Sequence, residues 1–223
     1  MLRIARTHII KGLGLALALS LLFTGSAAAQ ETVRYFDETA HSVSGAFLEF
    51  FEAHGGIAIF GFPITEPFVT AEGRRVQYFQ RARFEWDAEA QAVRLGDIGL
   101  ELRAPDPPAP RFALGSAERY FPETGHAIGW GFRAFYESNG DEAVFGKPIT
   151  GIITEDGVLV QYFERARFEW RHAESPDRPV RLTTLGTAAF LRSGLDRRLL
   201  LPVGAPGGQL RQVTALAGRA SVA

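Results

Sequence analysis

The sequence contains a long stretch of itself. RYFDETAHSVSGAFLEFFEAHGGIAIFGFPIT, from Arg34 to Thr65, lies over RYFPETGHAIGWGFRAFYESNGDEAVFGKPIT, from Arg119 to Thr150, with half of the positions identical and no gap. After a one-residue slip the match resumes as QYFQRARFEW, Gln77 to Trp86, over QYFERARFEW, Gln161 to Trp170, where nine of ten positions agree. A third echo runs from Val93-Arg94-Leu95 to Gly99 and from Val180-Arg181-Leu182 to Gly186, after a longer loop in the second copy. A duplicated unit of roughly 70 residues is the tightest constraint on the fold, because whatever one copy adopts must be adopted twice.

In the first copy Phe47, Phe50, Phe51 and Ala53 fall at helical spacing, with Ser44 placed as an N-cap and Gly55-Gly56 as the stop. Phe132, Phe135 and Tyr136, followed by Asn139-Gly140, repeat the pattern. Phe60-Gly61-Phe62-Pro63 and Phe145-Gly146-Lys147-Pro148 then force a turn into extended chain. Asp156-Gly157, between alternating apolar runs, is a strong hairpin signal, and Gly73 holds a similar place. The expected fold class is α+β: two tandem homologous modules, each a short helix followed by a two- or three-stranded antiparallel hairpin or meander. Phe36, Phe47, Phe50, Phe60, Phe79, Phe84, Trp86 and their second-copy partners read as core. Trp130 has no partner, since Gly45 stands in its place, and is the best single candidate for an exposed aromatic contact.

The chain before the repeats reads differently. Arg3, Arg6 and Lys11 precede an apolar run from Leu13 to Phe23 and small residues ending at Ala27-Ala28-Ala29, the pattern of a secretory signal peptide cut near Ala29. The run is about eleven residues, whereas a spanning helix needs about 20, and no comparable run follows, so no transmembrane segment is expected in the mature chain. The expected organisation is a signal peptide at 1–29, module 1 at 30–103, a Pro-rich linker at 104–118, module 2 at 119–191 and a Gly/Ala/Arg-rich tail at 192–223. The linker, Ala104-Pro105-Asp106-Pro107-Pro108-Ala109-Pro110, reads as semi-rigid extended chain, and the tail as a loosely ordered terminus or a basic arm.

Composition removes several function classes. The formal charge is −1, moving to −4 once the three leader cations are gone, so bulk electrostatics do not favour nucleic acid. The absence of cysteine excludes disulfides, thiolate metal sites and cysteine nucleophiles. Lys11 and Lys147 are the only lysines, so positive charge comes almost wholly from arginine, whose planar fork suits carboxylates and phosphates.

Gly-Gly, x-Gly-x-Pro with a following Thr, Gln-Tyr-Phe and Arg-x-Arg-Phe-Glu-Trp, in that order, resemble the LGFP-type repeat of exported bacterial cell-envelope proteins. Phe60-Gly61-Phe62-Pro63 fits that turn more closely than Phe145-Gly146-Lys147-Pro148. The resemblance implies an exported, non-enzymatic module associated with the cell wall, with no cofactor. Members with more copies form rings; two copies imply a side-by-side pair or assembly between chains.

Two constellations bear on chemistry. Arg81, Arg83 and Glu85, matched by Arg165, Arg167 and Glu169, alternate opposite Ala82, Phe84 and Trp86. They form either a solvated ion ladder or an arginine surface for an acidic polymer, with Gln77 and Gln161 adding hydrogen bonds and Trp130 an aromatic contact. Glu38 with His41 and Glu123 with His126 recur in both copies; a pseudo-twofold could join them into a metal site, but local turn bonding is the simpler reading. No Gly-x-Ser-x-Gly elbow, His-Glu-x-x-His helix or phosphate loop occurs. The expectation is therefore a non-catalytic module that binds cell-wall polymer or polysaccharide. Assembly with itself or with an envelope protein is the second reading, and a metal-dependent hydrolase the third.

Overall fold

The duplication in the sequence recurs in the succession of elements. The computed structural model describes residues 32–109 and 118–204. The first copy runs β1 (Val33–Phe36), β2 (His41–Ser44), α1 (Gly45–Ala53), α2 (Gly56–Phe60), β3 (Phe68–Val69), β4 (Arg75–Tyr78), β5 (Arg83–Asp87), β6 (Ala92–Leu95) and α3 (Ile98–Leu102). The second runs β7 (Arg119–Phe121), β8 (His126–Ile128), α4 (Trp130–Ser138), α5 (Asp141–Phe145), β9 (Ile153–Glu155), β10 (Val158–Tyr162), β11 (Arg167–Trp170), β12 (Val180–Leu182) and α6 (Leu185–Arg192). The fold is α+β. Each copy has a two-stranded hairpin and a four-stranded antiparallel meander, in orders β3-β4-β5-β6 and β9-β10-β11-β12.

Each copy therefore holds more than a helix and two or three strands. The added hairpin, β1 with β2, turns through Ala40 at φ 56°, and its counterpart through Gly125 at φ 71°. The glycines expected to stop the first helix also restart it. Gly55 sits at φ 95° as the N-cap of α2, and Gly140 at φ 108° as that of α5. Glycine tolerates this left-handed backbone, which lets the chain bend between two short helices without a longer loop. Ser44 is the N-cap of α1 as expected, but its side chain makes no capping bond. Asp156 and Gly157, at φ 50° and 77°, join β9 to β10 with Val158 opposite Glu155, the geometry of a tight primed turn.

The Phe-Gly-x-Pro turns have a plain structural purpose. Gly61 and Gly146 take φ 73° and 71°, and the next residues' amides, Phe62 and Lys147, donate to Gln80 Oε1 (3.2 Å) and Glu164 Oε2 (2.9 Å). Pro63 and Pro148 then bridge to Phe79 and Phe163, bringing the chain alongside the next strand.

Phe47, Phe51, Phe60, Phe79 and Phe84 join Phe132, Tyr136, Phe145, Phe163 and Phe168 in one continuous core spanning both copies. The ring geometry is duplicated too: Phe79 and Phe84 lie 4.2 Å apart at 36°, Phe163 and Phe168 4.3 Å apart at 38°. Each fully buried ring contributes about 2–3 kcal/mol. The copies also exchange their last helices. Gly99 N and Leu100 N of α3 donate to Glu164 O of the second copy (2.8 and 3.3 Å), and Thr187 N of α6 donates to Gln80 O of the first (3.1 Å). A second cluster forms beneath them, from Val76 and Tyr78 of β4, Ile98 of α3 and Leu185, Ala189 and Phe190 of α6.

The expected linker and tail also take part in packing. Asp106 N donates to Ile149 O and Ala109 N to Gly125 O (both 2.9 Å), so residues 104–109 lie along the second copy. After α6, Arg197–Leu200 forms a turn of 3-10 helix, and Val203 N donates to Ala40 O (2.8 Å) on the first copy. Ala40 matches Gly125, so the segment trailing each copy docks on the same hairpin turn of the other. The expected signal peptide, residues 110–117 of the linker and the tail from 205 lie outside the described residues. Among the described residues no helix is long and apolar enough to cross a membrane.

Candidate functional site

Gln77 and Gln161 were expected to face a ligand, but both are fully buried. Gln77 Nε2 donates to Ser42 O (2.7 Å) and Thr65 O (2.8 Å); Gln161 Nε2 donates to Ala127 O (2.8 Å) and Thr150 O (2.9 Å). Thr65 and Thr150 accept in turn from Tyr78 N and Tyr162 N (both 3.1 Å). Through Nε2 these amides pin the hairpin and the Phe-Gly-x-Pro turn to the meander, while each Oε1 is buried without a partner.

The arginine stripe is not an open face. Arg83 and Glu85 do share one side of β5, but α3 covers it. Arg83 is 9% exposed, donates to Glu101 through Nη1 and Nη2 (2.9 and 2.7 Å) and to Glu85 through Nε (2.7 Å). Burial alone would disfavour its charge, but the bonds to Glu101 and Tyr78 and the nearby Glu85 outweigh this and hold its pKa above the ordinary arginine value. Arg167 is held likewise by Glu155 (2.9 Å) and Glu169. The spacing in the sequence could not show that the helix after the last strand folds back over the charged side.

Arg81 and Arg165 lie before the strands, in the turns closed by Phe79 N to Ala82 O and Phe163 N to Ala166 O (both 2.8 Å). Arg81 Nη1 donates to Ile57 O and Ala58 O (both 3.0 Å), and Arg165 Nη1 to Glu142 O and Ala143 O (both 3.1 Å). Each guanidinium thereby satisfies carbonyls of a short helix, α2 or α5, that has few of its own bonds.

The glutamate and histidine pairs do not converge. His41 is buried with Nδ1 3.5 Å from Glu66, while buried His126 places Nε2 3.1 Å from Asp106 O. Glu38 is exposed, and Glu123 faces Lys147 at 3.5 Å. Among the described residues no group of three or more His, Asp or Glu is placed to hold a metal ion.

Between the copies lies a groove of about 950 Å³. Ile57, Ile59 and Arg81 of the first copy face Phe135, Leu182 and Arg181 of the second across it. Arg171, Arg178, Glu174 and Asp177, from the long loop between β11 and β12, also line it. Arg171 bonds Glu169 (2.9 Å) and Glu174 (3.1 Å), and Glu174 lies 3.8 Å from Arg181. Gly131, at the start of α4, lines the same groove, and Trp170 packs against it, so that a Cβ there would stand 2.2 Å from the ring. The preceding residue is Trp130, 69% exposed. Of the expected contact residues, only Arg81 lines the groove, and Trp130 adjoins it in sequence. The rest of the lining went unrecognised, although the longer second loop and the replacement of Asp87 by Arg171 in the repeat alignment are its sequence traces.

Trp130 also carries backbone strain. Its φ is 52°, the value Gly45 takes at the matching place. For a bulky side chain the left-handed region costs about 1–2 kcal/mol, and such outliers concentrate where a side chain is held for use.

No protein-family model matches the chain, and neither does any curated protein sequence.

Proposed function

We propose that the chain is an exported, non-catalytic two-repeat module of the bacterial envelope, of the LGFP type, that binds cell-wall polymer or polysaccharide. The observation that carries the reading is Trp130, a 69% exposed indole fixed in a left-handed backbone where the other copy has glycine. An indole offers a flat apolar face with a polar edge, the form that suits a sugar ring in water. It precedes Gly131 on the groove, whose lining includes arginines that suit acidic groups.

Sedimentation of the mature protein with isolated cell walls tests this. Retention is expected in the wild type and should fall at least tenfold in Trp130→Gly, which keeps the backbone of the other copy. A protein that stays in the supernatant, or a variant retained as well as the wild type, would remove the proposal.

A further inference from the structure

The two copies meet at two related places, and one of them lacks a carboxylate. Arg165 bonds the carbonyls of α5 through Nη1 and gives its Nε to Asp97 Oδ1 at 2.8 Å. Arg81, its counterpart, bonds the carbonyls of α2 in the same way, but its Nε is enclosed and has no partner. The position matching Asp97 is Thr184. Both residues are N-caps of the exchanged helices with the same backbone angles, φ −78° and ψ 55°, so the difference lies in the side chain alone.

The loss is not isolated. Asp87, which pairs with Arg94 at 2.6 Å, is matched by Arg171, and Glu101, which pairs with Arg83 at 2.7 Å, by Ala188. At these three matched places the first copy has acids and the second has Thr, Arg and Ala. Arg181, matching Arg94, then stands near enough to Arg81 to lower its pKa further, after the larger effect of desolvation. Glu174 and Asp177 return part of the negative charge, but Glu174 is engaged by Arg171 and no bond reaches Arg81 Nε.

We infer that Arg81, with Arg181, holds a carboxylate supplied by the ligand at the place that Asp97 fills in the other junction. The ligand class is an acidic polysaccharide carrying uronic-acid groups, with its apolar ring faces over Ile57, Ile59 and Phe135. This deepens the binding reading above and rests on it for the polymer. Arginine is suited to the task because its Nε edge presents donors in a fixed plane while Nη1 stays bound to the helix carbonyls.

Thr184→Asp is the decisive variant, because it should place an internal carboxylate where the ligand's would bind. Titration calorimetry with a size-fractionated uronic-acid oligosaccharide is expected to show binding to the wild type. Affinity should fall at least tenfold in Thr184→Asp, with a raised melting temperature, and fall similarly in Arg81→Gln. A neutral dextran of the same size should not bind. Unchanged affinity in a folded Thr184→Asp overturns the inference, as does inorganic phosphate competing at lower concentration than glucuronate. Wall retention lost in Trp130→Gly yet intact in Thr184→Asp overturns the carboxylate site while leaving the binding reading in place. Uronate binding abolished by Thr184→Asp in a protein that walls do not retain supports the site and removes only the wall.

Discussion

Gly99 lies so close to Phe163 that a Cβ on it would stand 2.0 Å from the Phe163 carbonyl oxygen, and matched Gly186 repeats the approach at 2.2 Å from Phe79 O. The obstacle is backbone in both cases, so it cannot swing aside. These contacts seat α3 and α6 on the opposite copy and join the two copies into one body. Gly99→Ala and Gly186→Ala are each expected to destabilise the protein by about 2–3 kcal/mol, at the upper end of overpacking costs. Urea denaturation of the single variants checks this. Because the exchange is reciprocal, the transition should remain single in each rather than split into two.

Gln77→Leu and Gln161→Leu are expected to act on stability and leave ligand binding unchanged. Each would strand two carbonyls that the buried amide now satisfies, at a cost of about 1–3 kcal/mol. Thermal unfolding beside a wall-retention assay separates this from a ligand contact, which would lower retention at unchanged stability.

Arg83 and Glu101 tie α3 to its own sheet while its glycine docks on the other. Breaking a half-buried, doubly bonded pair by removing one partner leaves the other without its counter-charge. Arg83→Met is expected to lose about 2 kcal/mol, more than Glu101→Gln, because it takes the arginine from half-buried Glu85 as well as from Glu101, whereas Arg83 keeps Glu85 when Glu101 is neutralised. A double-mutant cycle measured by urea unfolding should give a favourable coupling between them.

How far these features could be read from the sequence differs by level. The duplication, the phenylalanine core and the Asp156-Gly157 turn are local or periodic, and the structure carries them as expected. The hairpin at Glu38 to His41 turns through Ala40, which carries no turn signature, and Gly55-Gly56 conceals a second helix behind a stop signal. Which copy α3 and α6 pack against is a tertiary choice that no spacing encodes. Nor does strand alternation reveal that the helix after the last strand brings Glu101 over Arg83. Of the contact residues read from strand alternation, Gln77, Gln161 and Arg83 are buried, whereas Trp130, singled out by its mismatch between copies, is exposed. Departures from the repeat mark the exposed indole and the long loop of the groove more closely than the repeat itself does.

Glu66 gives a pH dependence with a defined sign. Burial works to raise its pKa, but bonds from His41 and Ser42 outweigh this and hold it below the ordinary glutamate value. The Ser42 bonds are 2.7 Å from N and 2.6 Å from Oγ. A depressed folded pKa gives stability that is fully present above the unfolded value, about 4.3, and is lost as pH falls through the folded value. Glu66→Gln should therefore melt below the wild type at pH 7, and the gap should narrow steadily below about pH 4. A gap that stays constant from pH 7 to 3 would mean that packing, and not the ionised carboxylate, accounts for the loss.

Trp130→Gly should separate stability from binding. The backbone at this position already has the φ that Gly45 adopts without strain, and most of the indole stands in solvent, so little packing is lost. Relief of the left-handed strain outweighs the entropy that glycine adds to the unfolded chain, and the variant is expected to gain up to about 1 kcal/mol. Retention on walls should fall in the same protein. A residue that lowers stability where it stands and raises binding is the signature of a site kept for use, since proteins retain such strain where function needs it. If Trp130→Gly instead melts earlier than the wild type, the indole is contributing to packing, and its exposure carries no argument for a ligand.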